Sequence, residues 1–174
     1  MTLLLHDLAW AALVGLGATA LFDLWGAALR RAFGLASLDM ALLGRWAGHL
    51  ARGRLAHAAI ARAAPVRGER ALGWAVHYGI GVAFAGLLLA LAGRGWAAAP
   101  TPGIALAVGL ATAAAPLFVM QPAMGAGFAA RRTPTPWRHR LRVLINHAVF
   151  GLALHAGAVL LAHATTMPLW RTLP

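Results

Sequence analysis

Five polar side chains lie inside stretches that are otherwise apolar: Asp23, His77, Gln121, Asn146 and His147. Their types suit proton chemistry. A carboxylate inside a bilayer is costly unless it faces protein, water or a partner. Imidazole titrates near neutral pH, so an Asp–His pair changes charge as a proton comes and goes. Asp23, His77 and His147 also supply a two-His, one-carboxylate set of the kind that suits Zn or non-haem Fe. His77 and His147 alone would serve as axial haem ligands from two helices. No HExxH-type spacing accompanies any of them. A nucleophile–base pair and a phosphate-binding loop are also missing, and Gly125-Ala126-Gly127 is too short for a dinucleotide fingerprint. Ordinary enzyme classes therefore have no support, and whether a cofactor is bound stays open among none, a metal and a haem.

These residues need long apolar helices to hold them. Leu8–Leu29 carries Asp23 in a nearly unbroken apolar run, long enough to cross a hydrocarbon core. Three further runs follow at about residues 71–92, 103–124 and 141–162. The chain is 61% hydrophobic and only 11% charged, far below the roughly 25% of a soluble domain. The expected fold is all-α: one integral membrane domain, a four-helix bundle spanning residues 1–174, with loops at about 30–70 and 125–140. Within the first loop, Leu38, Leu42, Trp46 and Leu50 recur every four residues, which predicts a short amphipathic helix lying on the membrane surface. Gly44, Gly48 and Gly53 count against that helix.

Small residues mark the faces on which helices should meet. On the first span these are Gly15, Thr19 and Gly26, in line with Asp23; on the second, Gly73, Gly81 and Ala85, in line with His77. Gly103, Ala107, Ala111 and Ala115 form a ladder on the third span, whose second half Pro116 and Pro122 should loosen.

The charge pattern sets an orientation. The net charge is +11 and all fifteen basic residues are Arg. Eight lie between Arg30 and Arg70 and five between Arg131 and Arg142, leaving Arg94 and Arg171 on the other side. Arginines confined to loops between apolar runs are a topology signal rather than a nucleic-acid surface. The basic side is expected to be cytoplasmic and both termini periplasmic. Trp10, Trp96 and Trp170 then fall near the outer boundary, and Trp74 and Trp137 near the inner one. The first apolar run has no basic residue before it, so Ala18-Thr19-Ala20 is not expected to be a signal-peptide cleavage site. There is no Cys, which excludes disulfides and thiolate chemistry.

Depth unites the polar residues. At about 1.5 Å per residue, Asp23, His77, Asn146 and His147 each lie about 8–9 Å from the basic boundary, and Gln121 about 5 Å. Three readings follow. The layer is a hydrogen-bond glue between helices, a proton- or ion-linked transport site, or a metal or haem site. A competing class is an accessory subunit whose small-residue faces bind other helices. Besides the lipid bilayer, the partners to consider are a second copy and a larger membrane complex. His49, His57 and His139 sit among the loop arginines and are expected at the headgroups.

Several runs also carry a family resemblance. Ala18–Trp25 (ATALFDLW), Gly44–His57 (GRWAGHLARGRLAH), Gly68–Gly81 (GERALGWAVHYGIG), Met120–Pro134 (MQPAMGAGFAARRTP) and Asn146–Leu154 (NHAVFGLAL) together resemble a bacterial membrane-protein family, domain of unknown function 2938. The resemblance covers nearly the whole chain, and Met120–Pro134 is its most specific part. It implies a four-span inner-membrane protein and no assigned activity. Asp23, His77, Gln121 and His147 fall inside the resembling runs, which gives them a place but no role.

Overall fold

The apolar runs become helices; those of the first, second and fourth runs overrun them at both ends, and that of the third ends with its run at Met124. A computed structural model describes residues 2–35 and 38–166. Helix α1 spans Thr2–Phe33, α2 Met40–Leu50, α3 Glu69–Ala98, α4 Pro102–Thr112, α5 Gln121–Met124 and α6 Pro136–Thr166. A π-helical segment, Ala115–Met120, joins α4 to α5, so these three pieces form the third span. No strand occurs among the described residues, and the fold is all-α. Thr2–Phe33, Glu69–Ala98, Pro102–Met124 and Pro136–Thr165 are long and apolar enough to cross a membrane. Their outward surface is rich in leucine, as lipid requires: Leu24 is 66% exposed and Leu160 69%. The expectations for Trp170 and Arg171 lie outside the described residues.

The centre of the bundle is the α1–α6 pair. Helix α3 packs on α1, α4 packs on α6, and α3 touches the third span only sparsely. Each crossing is built on glycine. A Cβ on Gly15 of α1 would stand 2.6 Å from Val82 Cα of α3, and one on Gly109 of α4 would stand 2.5 Å from Gly151 Cα of α6. Phe22, Phe84 and Phe150 then meet edge to face at 6.2 Å centroid distances, tying α1, α3 and α6 together.

The third span turns a different face inward from the one its alanine ladder suggests. Gly103, Ala107 and Ala111 are exposed, while Ala105, Val108, Gly109 and Thr112 are buried. Alanines occur all round this helix, so they do not choose a face. Gly109 does, because it alone lets the backbones of α4 and α6 touch.

At the end away from the arginines, α3 breaks at Gly93, whose φ of 79° and ψ of 167° only glycine adopts readily. Arg94 beyond the break makes two bonds to the Asp7 carboxylate, at 2.9 and 2.7 Å. Trp96 is buried, donates to the Thr101 carbonyl and packs against Trp10. It is therefore a core residue and not part of a lipid-facing belt. Trp74 and Trp137, at the arginine-rich end, are exposed.

Helix α2 has the amphipathic character its sequence suggests. Asp39 caps it, accepting from the amides of Ala41 and Leu42. Leu38 and Leu50 stay exposed, whereas Leu43, Gly44, Gly48 and His49 are buried. The glycines that count against a helix are what allow it to dock. A Cβ on Gly44 would run into the Glu69 carbonyl, and one on Gly73 into the Met40 carbonyl. Arg45 fixes the contact: its guanidinium grips both Glu69 carboxylate oxygens, at 2.9 and 2.7 Å, and reaches the Ala61 and Ala63 carbonyls.

The following loop is held by histidines that sequence places at the headgroups. His49 is buried and donates to the Ala64 carbonyl. The His57 ring packs on His49 at 4.9 Å, its backbone amide donates to the Ala123 carbonyl, and both its ring nitrogens are buried with no hydrogen-bond partner among the described residues. Burial, with His49 and Arg54 nearby, pushes the His57 pKa below its usual value. A histidine so depressed takes up its proton more readily when the loop is released. Docking is thus at full strength above the ordinary histidine pKa of about 6.5 and weakens as pH falls through and below it. Acidification from pH 7.5 to 5.5 is expected to speed trypsin cleavage at Arg52 and Arg54. In His57→Leu, which has no ring nitrogen to protonate, that acceleration should vanish; its persistence would assign the effect to another group.

Candidate functional site

The register of the α1–α3 crossing creates the site. Thr19 donates to its own Gly15 carbonyl at 2.8 Å and nests against Gly81. One turn further along each helix, Asp23 and His77 must face one another. They do: His77 Nε2 donates to Asp23 Oδ1 at 2.9 Å, with 13% and 24% of the respective side chains exposed. The imidazole stands among three aromatic rings, Phe22, Trp74 and Tyr78, at 6.1, 5.9 and 5.6 Å. Asp23 Oδ2 is buried without a hydrogen-bond partner among the described residues, the Tyr78 phenol being a further polar group beside the same carboxylate.

The four acids of the chain have different fates. Asp7 is held by Arg94 and Glu69 by Arg45, and Asp39 caps α2. Asp23 alone is paired only with a group that can lose its charge.

His77 and His147 line one cavity of about 250 Å³, bounded by all four spans and covered by Leu38 and by Leu43 and Trp46 of α2. Its other walls are almost wholly apolar, with Phe84 and Phe150 lying further from the arginine-rich end than the two histidines. The π-helical segment supplies Pro116, Val119 and Met120. Pro116 and Pro122 each lack an amide, and Gln121 N–H bonds back to the Pro116 carbonyl in a widened turn. The loosening expected between the prolines therefore falls on the cavity wall.

On the far side, the Thr112 hydroxyl donates to the Gly109 carbonyl at 2.6 Å. His147 Nδ1–H consequently donates to Thr112 Oγ1, at 2.9 Å, which leaves Nε2 as the ring's acceptor.

Common depth does not join the remaining polar residues to this pair. Trp25 donates to Asn146 at 3.3 Å, and Gln121 donates to His139 at 2.9 Å. The single polar layer is thus an Asp23–His77 pair, a His147–Thr112 pair and two unconnected bonds. The three-ligand metal set is not assembled either. Among the described residues, no three His, Asp or Glu side chains are placed to hold a metal. Asp23 and His77 are turned toward each other, while His147 is turned toward Thr112 across the cavity.

Sequence reasoning missed Thr112, Tyr78 and the three phenylalanines. Phe22 and Tyr78 were legible in principle, as immediate neighbours of Asp23 and His77. Thr112 is not, since alanines all round the third span hide which of its faces turns inward.

A profile of a family described as "Protein of unknown function (DUF2938)" matches residues 12–161. No curated protein and no solved structure matches the chain.

Proposed function

The chain belongs to the DUF2938 family of unknown function, and from that premise we propose that it is a carrier of the bacterial inner membrane, one membrane domain that couples movement of a small molecule to a proton. The observation that carries this reading is the Asp23–His77 pair beside a cavity bounded by four membrane-capable helices. Intramembrane acid–histidine pairs are a means of moving protons. A helix widened between two prolines supplies a wall that can deform as the site changes access.

The test uses protein reconstituted with trapped pyranine as an internal pH reporter, offered in turn aromatic amines, monocarboxylates and sugars. At least one class should move internal pH with the native chain and fail to do so with Asp23→Asn or His77→Ala. No response to any class, or equal responses in the variants, would overturn the carrier.

The arginine-rich end is assigned to the cytoplasm by the positive-inside rule. Because the chain has no cysteine, single cysteines report sidedness without background. Ala98→Cys and Arg131→Cys replace exposed residues at opposite ends. A membrane-impermeant maleimide should label Ala98→Cys on cells with an intact inner membrane, and Arg131→Cys only after that membrane is permeabilised. The reverse pattern would invert the topology.

A further inference from the structure

Resting on the carrier reading of the same site, we propose that the cavity takes a small lipophilic cation, which enters from the bilayer and replaces the proton held by Asp23 and His77. Charge is the first argument. Among the described residues Asp23 is the acid held neither by an arginine nor by a helix N-terminus, and no arginine lines the cavity. With one proton between them, Asp23 and His77 are together neutral. Once that proton leaves to water, the pair carries one negative charge, and one monovalent cation restores neutrality. The exchange is one cation for one proton. An anion would be repelled in the second state, and a neutral solute would gain nothing from it.

The walls are the second argument. Phe22, Trp46, Phe84 and Phe150 line the cavity with aromatic rings, whose faces attract a weakly hydrated organic cation and not a sugar or an inorganic ion. Size agrees: engineered cavities of about 150 Å³ accept benzene, so about 250 Å³ holds one ring with a small ammonium group.

Access is the third. Ile80 of α3 and Val119 of the third span both line the cavity, yet are 38% and 60% exposed. They lie on either side of the seam where α3 and the third span touch only sparsely. That seam faces the position of lipid, so a molecule dissolved in the bilayer reaches the site without passing the arginines.

Because each bound cation displaces one proton, binding should strengthen as pH rises. The titratable neighbours are Tyr78 on α3 and His147 on α6. The cover on α2 presents Leu43 and Trp46 and the π-helical wall presents Pro116, Val119 and Met120, none of which titrates.

The experiment compares benzyltrimethylammonium with its neutral carbon isostere, neopentylbenzene. Calorimetry is done on purified protein in phosphatidylcholine nanodiscs, with empty nanodiscs as the blank. The cation should bind at least about tenfold more tightly than the isostere, releasing one proton per cation in buffers of different ionisation enthalpy. Asp23→Asn should lose the preference and the proton release while still binding neopentylbenzene, which shows the cavity intact. Asp23→Glu, which keeps the charge if Asp23→Asn does not fold, should retain both. Equal binding of the two probes, tighter binding of benzenesulfonate, or no proton release would overturn the proposal. Proton flux driven by another solute class, with no cation binding, would refute the substrate class and leave the carrier standing. Cation binding without any flux would do the opposite.

Discussion

Gly109→Ala and Gly151→Ala are expected to destabilise the protein, although alanine is the better helix former. In an open helical position the exchange gains about 0.8–1 kcal/mol. At Gly109 the added methyl carbon would lie 2.5 Å from Gly151 Cα and 2.7 Å from the His147 carbonyl; at Gly151 it would lie 2.7 Å from the Ala105 carbonyl. These are backbone atoms, so no side chain can swing away and the helices themselves must separate. Forcing such an insertion costs about 1–3 kcal/mol and occasionally more, which outweighs the gain. Separation also moves the His147 carbonyl's helix from Thr112 and opens the cavity. Gly79→Ala is the control, because nothing lies within 4 Å of a Cβ there. It should be neutral or stabilising by up to about 1 kcal/mol. The two crossing variants together should cost less than their sum, since each relieves the clash of the other. Loss of helical signal on titration with dodecyl sulfate ranks the native chain and the four variants. If Gly109→Ala tolerates as much detergent as Gly79→Ala, the α4–α6 crossing is wider than described.

The same contrast explains how much could be read from sequence. Hydropathy reports only the part of a helix that lies in hydrocarbon. It therefore finds all four spans and stops short of the ends of three of them, as at α3, which continues to Ala98 where the apolar run stops near Ala92. Small residues located the α1–α3 crossing because Gly15, Thr19 and Gly81 stand against larger neighbours. They failed on α4, where alanine is everywhere and only contact with Gly151 singles out Gly109. Depth was read correctly enough to put Asp23 beside His77. It could not separate them from Gln121 or Asn146, because azimuth around a helix decides partners and depth does not. The burial of His49 and of the His57 ring nitrogens escapes the sequence for a related reason. Charge density suggested headgroups for His57, but the docking of α2 through Gly44 and Gly73 creates an interior there that no local pattern announces.

His77→Leu is expected to be the most damaging single change at the site, and Asp23→Leu combined with His77→Leu to be less damaging than His77→Leu alone. Removing the imidazole takes from Asp23 its one charge-neutralising partner and leaves only the Tyr78 phenol beside the carboxylate. A half-pair left in a low-dielectric interior costs about 3–5 kcal/mol when fully buried. With 24% of the Asp23 side chain exposed, about 2 kcal/mol is the better expectation here. Replacing both partners by leucine removes the uncompensated group, and apolar replacements of buried pairs are commonly neutral or stabilising. The ring faces of Phe22 and Trp74 that now hold the imidazole can pack on leucine instead. Dodecyl sulfate unfolding should therefore rank the native chain and the double variant together, above His77→Leu. Proton-linked flux should be absent from both variants, because neither retains a pair that shares a proton. This separation of folding from function distinguishes a working site from helix glue. If the double variant folds and still moves protons with solute, the pair is structural and the proton path lies elsewhere; if it is less stable than His77→Leu, the pair contributes to the fold in its own right.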